Sequence, residues 1–192
     1  MVVDDLDATE KMIEKHGGQI IDEVTIPNIG RWFHALDNQG ALFAPFQAHD
    51  PAQLQKPSFP PALGHFCWHE LMAKDYTQAM AFYQAVFGWK TGDAVDLGPM
   101  GTYQMYQNTN LSDDPTQATM GGIMNITADM QGMQPTWVEY LHVQDVDETV
   151  KRAQDLGGQI SFPAMDIEGG KGRVGGIVDN QGVSFAVWHS NV

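Results

Sequence analysis

The chain has a single cysteine, Cys67, among 192 residues, which excludes an intrachain disulfide framework and any multi-cysteine metal cluster. It lacks an apolar run of the ~18 residues that a membrane helix needs. Its opening, MVVDDLDATEK, carries acid where a secretory leader carries base followed by an apolar stretch. A cytoplasmic protein with no membrane contact is therefore expected. Base is scarce: 10 Lys and Arg stand against 24 Asp and Glu, a formal charge of -14. That charge repels phosphate backbones and anionic surfaces, so nucleic acid is not an expected partner. Also missing are a phosphate-binding glycine loop, a nucleophile elbow, a GxGxxG run and a Cys-His pair at useful spacing. What remains is 43% hydrophobic content, enough for a proper core.

That content is organised as a repeat. VDDLDATEKMIEKHGGQI, ending at Ile20, matches VQDVDETVKRAQDLGGQI, ending at Ile160. Gly30-Arg31 and Asp37-Asn38-Gln39-Gly40 match Gly172-Arg173 and Asp179-Asn180-Gln181-Gly182. A fainter middle copy places Asp75 midway between Asp5 and Asp145, and Gly88 midway between Gly18 and Gly158. An Asp able to cap, about three turns of chain, then a Gly able to turn left-handed predict a helix in each copy. Asp75 with Gln78, and Asp145 with Glu148, fit the capping-box pattern. Ala79, Phe82, Tyr83 and Val86 form an apolar stripe suited to lying on a sheet. Short apolar strands precede the helices, HFCWHELMA from His65 and WVEYLHV from Trp137. Further strands follow, the last being ALFAPF from Ala41 and VSFAVW from Val183.

The expected organisation is a half-module over 1–48 with its first strand truncated at Met1-Val2-Val3, a proline-rich linker over 49–61, and a complete module over 62–192. The complete module consists of copies B (62–127) and C (135–192), the half-module being copy A. The polar loop from Asn108 reads as a surface loop or a lid.

Trp68 to Leu71 (WHEL), Asp75, Ala79 to Tyr83 (AxxFY), Val86 to Trp89 (VFGW), Trp137 to Tyr140, Asp145 to Asp147, Leu156 to Gly158, Gly172-Arg173 and Asp179 to Gly182 carry a family pattern. It resembles the two-domain, glyoxalase-like members of the vicinal oxygen chelate superfamily, the group of glyoxalase I, bleomycin-resistance proteins and extradiol dioxygenases. The resemblance covers essentially the whole chain. It implies an α+β fold of tandem βαβββ units (the glyoxalase/bleomycin resistance/dihydroxybiphenyl dioxygenase fold), with curved mixed sheets, helices on the outer face and one cavity per pair of units. A full two-domain member has four units, so this sequence reads as beginning inside the second. An unpaired copy A would leave a sheet edge and an apolar face open, and the expected cover is copy A of a second chain in a homodimer.

Metal-dependent members of that family hold one divalent ion with His, Gln and Glu side chains. Here the expected carboxylate position in the last strand of copy C falls at Ala186, and the last strand of copy B, near Gly121, offers no acid. No cofactor is therefore expected. A divalent ion (Ni, Zn, Fe or Mn), if one binds, would take Glu70, His142 and Glu139. Alternation along the first strands places Trp68, Glu70, Tyr140 and His142 toward the cavity, if Leu71, Ala73, Leu141 and Val143 pack under the helices. His69 and Glu139 then fall on the other face. Glu70 reads as a general base, a metal ligand, a ligand anchor, or a carboxylate hydrogen-bonded to Tyr140. Trp68, Tyr103, Met105 and Trp137 form an apolar wall that serves a planar ligand or fills the barrel. Arg173 reads as a ligand-carboxylate contact or a turn residue. His65 and His69 are too far apart on a strand, ~13 Å, to share an ion. Three functions stay open: a metal-free binder of a small molecule between copies B and C, a metal-dependent lyase or dioxygenase with Glu70 as its catalytic residue, and a non-catalytic assembly subunit.

Overall fold

The computed structural model describes residues 1–54, 61–109, 112, 114–130, 132–167 and 171–190. The linker prolines Pro57 and Pro60 and part of the Asn108 loop lie outside the described residues, and the stiff-linker and lid expectations lie there with them. In chain order the elements are α1 (Leu6–Lys15), β1 (Gln19–Ile26), β2 (Gly30–Leu36), β3 (Leu42–Phe43), β4 (Phe46–Ala48), β5 (Phe66–Ala73), α2 (Tyr76–Phe87), β6 (Lys90–Asp96), β7 (Thr102–Gln107), α3 (Pro115–Ala118), β8 (Thr119–Asn125), β9 (Thr136–His142), α4 (Val146–Asp155), β10 (Gln159–Asp166), β11 (Arg173–Val178) and β12 (Ser184–His189). Copies B and C each read βαβββ, apart from the short α3 inside copy B. In copy A, Val2 makes an isolated parallel bridge to Phe46, where a first strand would lie.

The helices start where the Asp spacing placed them. The Asp5, Asp75 and Asp145 carboxylates accept from the backbone N–H of Ala8, of Thr77 and Gln78, and of Glu148. The capping box at Asp75 is closed differently from the pattern: Gln78 Nε2 donates to the Asp75 carboxylate, and the Asp75 N–H goes to Gln39 Oε1. The helix ends also differ. Gly88 takes the left-handed conformation in copy B, but in copies A and C the preceding Gly17 and Gly157 do so. Gly18 is needed for close approach instead, since a Cβ there would lie 2.7 Å from the Leu36 carbonyl and 2.6 Å from Ile13.

The chain divides into two compact units. The first comprises Met1–Lys56 and Leu71–Trp137, the second Pro57–Glu70 and Val138–Val192. The division falls inside β5, which gives Leu71–Ala73 to the first and Phe66–Glu70 to the second.

In the first unit β1, β2 and β3 are neighbours, with β4 also on β2, and a second set runs β5-β8-β7-β6. Its core joins Leu6, Ile13, Phe33, Ala35 and Phe43 of copy A to Leu71, Ala79, Phe82, Tyr83 and Ile123 of copy B. Each large apolar side chain so buried is worth ~1.5–3 kcal/mol. Trp137, expected on the ligand wall, packs into this core and donates from Nε1 to Tyr83 Oη at 3.1 Å. Tyr83 Oη in turn donates to Asp37 Oδ2 at 3.1 Å, while Asp37 Oδ1 accepts from the N–H of Gln39, Gly40 and Ala41.

In the second unit the order is β10-β11-β12-β9-β5. Helix α4 covers one face through Val146 and Val150, packed with Leu141, Val143, Ile177, Phe185 and Val187.

Candidate functional site

Leu141, Val143, Ile177 and Val187 lie on the α4 side of the second unit, so alternation sends their neighbours to the opposite face. Register carries that face across the strands: Ala186 stands opposite Tyr140, and Trp188 opposite His142. On β5 the same face takes Trp68 and Glu70, because Glu70 Oε2 accepts a hydrogen bond from Tyr140 Oη at 3.2 Å. Trp68, Glu70, Tyr140, His142 and Trp188 thus share one half-buried sheet face, with Tyr140 the most enclosed.

Burial, then the neighbouring Glu70 charge, pushes the Tyr140 hydroxyl far above its ordinary range. It stays protonated at any physiological pH and holds Glu70 as a donor. His142 Nδ1 lies 2.8 Å from the Pro61 carbonyl, which can only accept, so Nδ1 carries the proton and a neutral ring keeps Nε2 as an acceptor. Its ring sits 5.2 Å from that of Trp188. Two glycines make room beside these strands. A Cβ at Gly172 would meet Trp188 Nε1 at 2.7 Å, and one at Gly176 would meet the Phe162 ring at 2.3 Å. The face therefore offers aromatic surfaces, one carboxylate and one imidazole, a set suited to holding a flat organic molecule by stacking and a few directional bonds.

The other face holds a different set. His69 Nδ1 pairs with Glu139 Oε2, and Cys67 Sγ donates to the Tyr140 carbonyl at 3.3 Å. Burial lifts the Cys67 thiol to about 11, so it supplies no thiolate nucleophile near neutrality. His69 and Glu139 are repeat equivalents, as are Glu70 and Tyr140, and each pair is separated by 70 residues. Copies B and C therefore meet position against like position.

Arg173 belongs to the α4 side. Its guanidinium binds Asp147 at 2.5 and 2.8 Å and Asp166 at 2.9 Å, which raises its pKa further. Arg31, its repeat equivalent, is held the same way by Asp7 at 2.9 Å and Glu23 at 2.8 Å. Both arginines tie a helix start to a strand pair, and on Arg173 these carboxylates take the guanidinium that the sequence offered as a ligand-carboxylate contact or a turn residue. Tyr103 and Met105 lie in the first unit, on the sheet face away from buried Tyr106 and Ile123. There the Tyr103 ring occupies the place a Cβ on Gly122 would need, at 2.1 Å.

The metal set does not assemble. Glu139 is on the opposite face from Glu70 and His142, and Ala186, buried against Tyr140, brings no oxygen donor. Among the described residues no three His, Cys, Asp or Glu side chains converge as ion ligands. Sequence reasoning missed Trp188; its signal was its place two residues beyond Ala186 on the same face of a strand.

A family model, the Glyoxalase/Bleomycin resistance protein/Dioxygenase superfamily, matches residues 62–187. The chain belongs to this superfamily. The match spans copies B and C; similarity to longer proteins takes in copy A as well. The chain is 27% identical over 184 residues to the anthracycline biosynthesis protein DauV of Streptomyces strain C5, covering 95% of this chain and 62% of DauV. It is 30% identical over 190 residues to CFP32 of Mycobacterium bovis, which bears a provisional glyoxylase name, covering 97% of this chain and 67% of CFP32. It thus spans under two thirds of the length of DauV and about two thirds of that of CFP32. Among solved structures, the Mn(II)-bound glyoxalase from Novosphingobium aromaticivorans shares the fold at TM-score 0.60 and 14% identity, over 98% of this chain and 60% of that one.

Proposed function

We propose that this chain binds a small, flat organic molecule on the sheet face carrying Trp68, Glu70, Tyr140, His142 and Trp188, without a metal ion. The observation that carries the reading is the Glu70–Tyr140 hydrogen bond on an aromatic face where Ala186 stands at the expected carboxylate position of the last strand. Glu70 anchors a donor group of the ligand, His142 offers one acceptor or donor, and the indoles supply stacking area. The likeness to an anthracycline biosynthesis protein supports a polycyclic aromatic ligand. A metal-dependent lyase or dioxygenase reading rests on shared fold, which does not carry chemistry with it. An assembly role is the third reading, and it has no need of the polar groups on this face.

The test is titration with an anthracycline, read by quenching of indole fluorescence, on the wild type, Glu70→Gln and Trp68→Ala. The expected outcome is saturable binding weakened about tenfold or more in each variant, equivalent to ~1.4 kcal/mol. Saturable binding unchanged in both variants would move the site elsewhere. No binding of this or other flat aromatic compounds would remove the proposal.

A further inference from the structure

The sheet face that carries Glu70 is rich in acceptors and aromatic rings, while the basic side chains placed nearest in sequence stand on the other side. Tyr140 commits its hydroxyl proton to Glu70 Oε2 at 3.2 Å, so the pair as a whole carries negative charge. His142, with Nδ1 held by the Pro61 carbonyl at 2.8 Å, keeps Nε2 as an acceptor. Trp188 Nε1 lies beside Gly172, where a Cβ would meet it at 2.7 Å, and its ring stands 5.2 Å from that of His142. The strands that build the face, FCWHELMA, TWVEYLH and SFAVWH, contain no lysine or arginine. Lys151 and Arg152 belong to α4, and Arg173 is held on that same side by Asp147 and Asp166.

We infer that the ligand of this face is an organic cation, a flat aromatic ring system bearing a protonated nitrogen that Glu70 receives. The inference rests on the small-molecule reading of the same site and adds the sign of the ligand's charge. The face of an aromatic ring is negative and attracts a cation, more strongly where water is partly excluded. Trp68, Tyr140 and Trp188 supply such rings on a half-buried surface. A carboxylate among them is a charge-assisted acceptor for N–H, and His142 Nε2 is a second acceptor. A neutral ring gains stacking without the charge contact. An anion meets the Glu70 carboxylate on a chain of formal charge -14 and finds no lysine or arginine on these three strands.

The test compares proflavine, a planar cation, with anthraquinone-2-sulfonate, a planar anion, by calorimetric titration of the full chain at ~150 mM salt. A chain this acidic attracts any cation diffusely, so two variants separate the local charge from the general one. Glu70→Gln and Glu139→Gln each move the formal charge from -14 to -13, but the Glu139 carboxylate lies on the opposite face with His69. The wild type is expected to bind one proflavine per chain about tenfold or more tighter than the sulfonate. Glu70→Gln should abolish that preference and Glu139→Gln should keep it. Equal binding of both probes by the wild type overturns the inference and leaves the flat-ligand reading standing. A preference that survives in Glu70→Gln, or falls equally in both variants, also overturns it. Binding of neither probe removes the ligand reading and this inference with it. If Glu70→Gln misfolds by circular dichroism, the comparison of the two probes on the wild type still decides.

Discussion

At the scale of single residues the most consequential side chain of the core is a buried carboxylate. Asp37 is 4% exposed, accepts three backbone N–H bonds on one oxygen and takes Tyr83 Oη on the other. The repeat equivalent Asp179 makes the turn bonds to Gln181 and Val183 but sits on a more open turn. One short motif thus closes a turn in copy C and also anchors copy A to α2 in the first unit. Asp37→Asn keeps the turn acceptors but points an amide donor at a Tyr83 oxygen that already accepts from Trp137. We expect it to cost about 2 kcal/mol in urea unfolding with an unchanged m value, and the same substitution made in a Tyr83→Phe background should cost less than it does in the wild type. The motif was visible in the sequence. The Tyr83 partner was not, because nothing local links positions 46 residues apart.

At the scale of elements, helix starts were the most legible features, since a cap is a contact within three residues. Asp75 shows what such a cap does to a carboxyl. Bonds from Thr77 and Gln78 lower its pKa from 3.8 to about 2. A folded pKa below the unfolded one means the stabilising contribution is present above pH 3.8 and is lost as pH falls toward 2. Asp147, lowered by its bonds to Arg173, acts in the same direction. Asp75→Asn retains a good cap without the titration. It should therefore flatten part of the fall in melting temperature between pH 4 and pH 2 that the wild type shows, measured by circular dichroism. Strand ends were less legible. ALFAPF reads as one strand but is divided into β3 and β4 around buried Pro45, although both halves keep the same register against β2. Proline lacks the N–H that the ladder would require.

At the scale of the whole molecule, ion chemistry depends on which side chains converge, and here they are divided between two faces of a sheet. Plasma mass spectrometry on untagged protein prepared without chelators should find nickel, zinc, iron and manganese well below one ion per chain, and Glu70→Ala should leave those contents unchanged. One ion per chain, lost in Glu70→Ala, would reinstate a metal enzyme and direct assays toward hemithioacetals and catechols.

The sequence by itself determined the repeat, the three long helices and the superfamily, because these are written in local spacing and in motifs compared along the chain. It also determined the alternation that separates Glu70 from His69. Tertiary structure decided what each side chain touches: that Trp137 joins the core through Tyr83, that Arg173 braces α4, that Trp188 stands beside His142, and that Glu139 meets His69 rather than Glu70. Periodicity assigns a residue to a face, but a partner on that face comes from strands distant in sequence, and their register is set only when the sheet assembles.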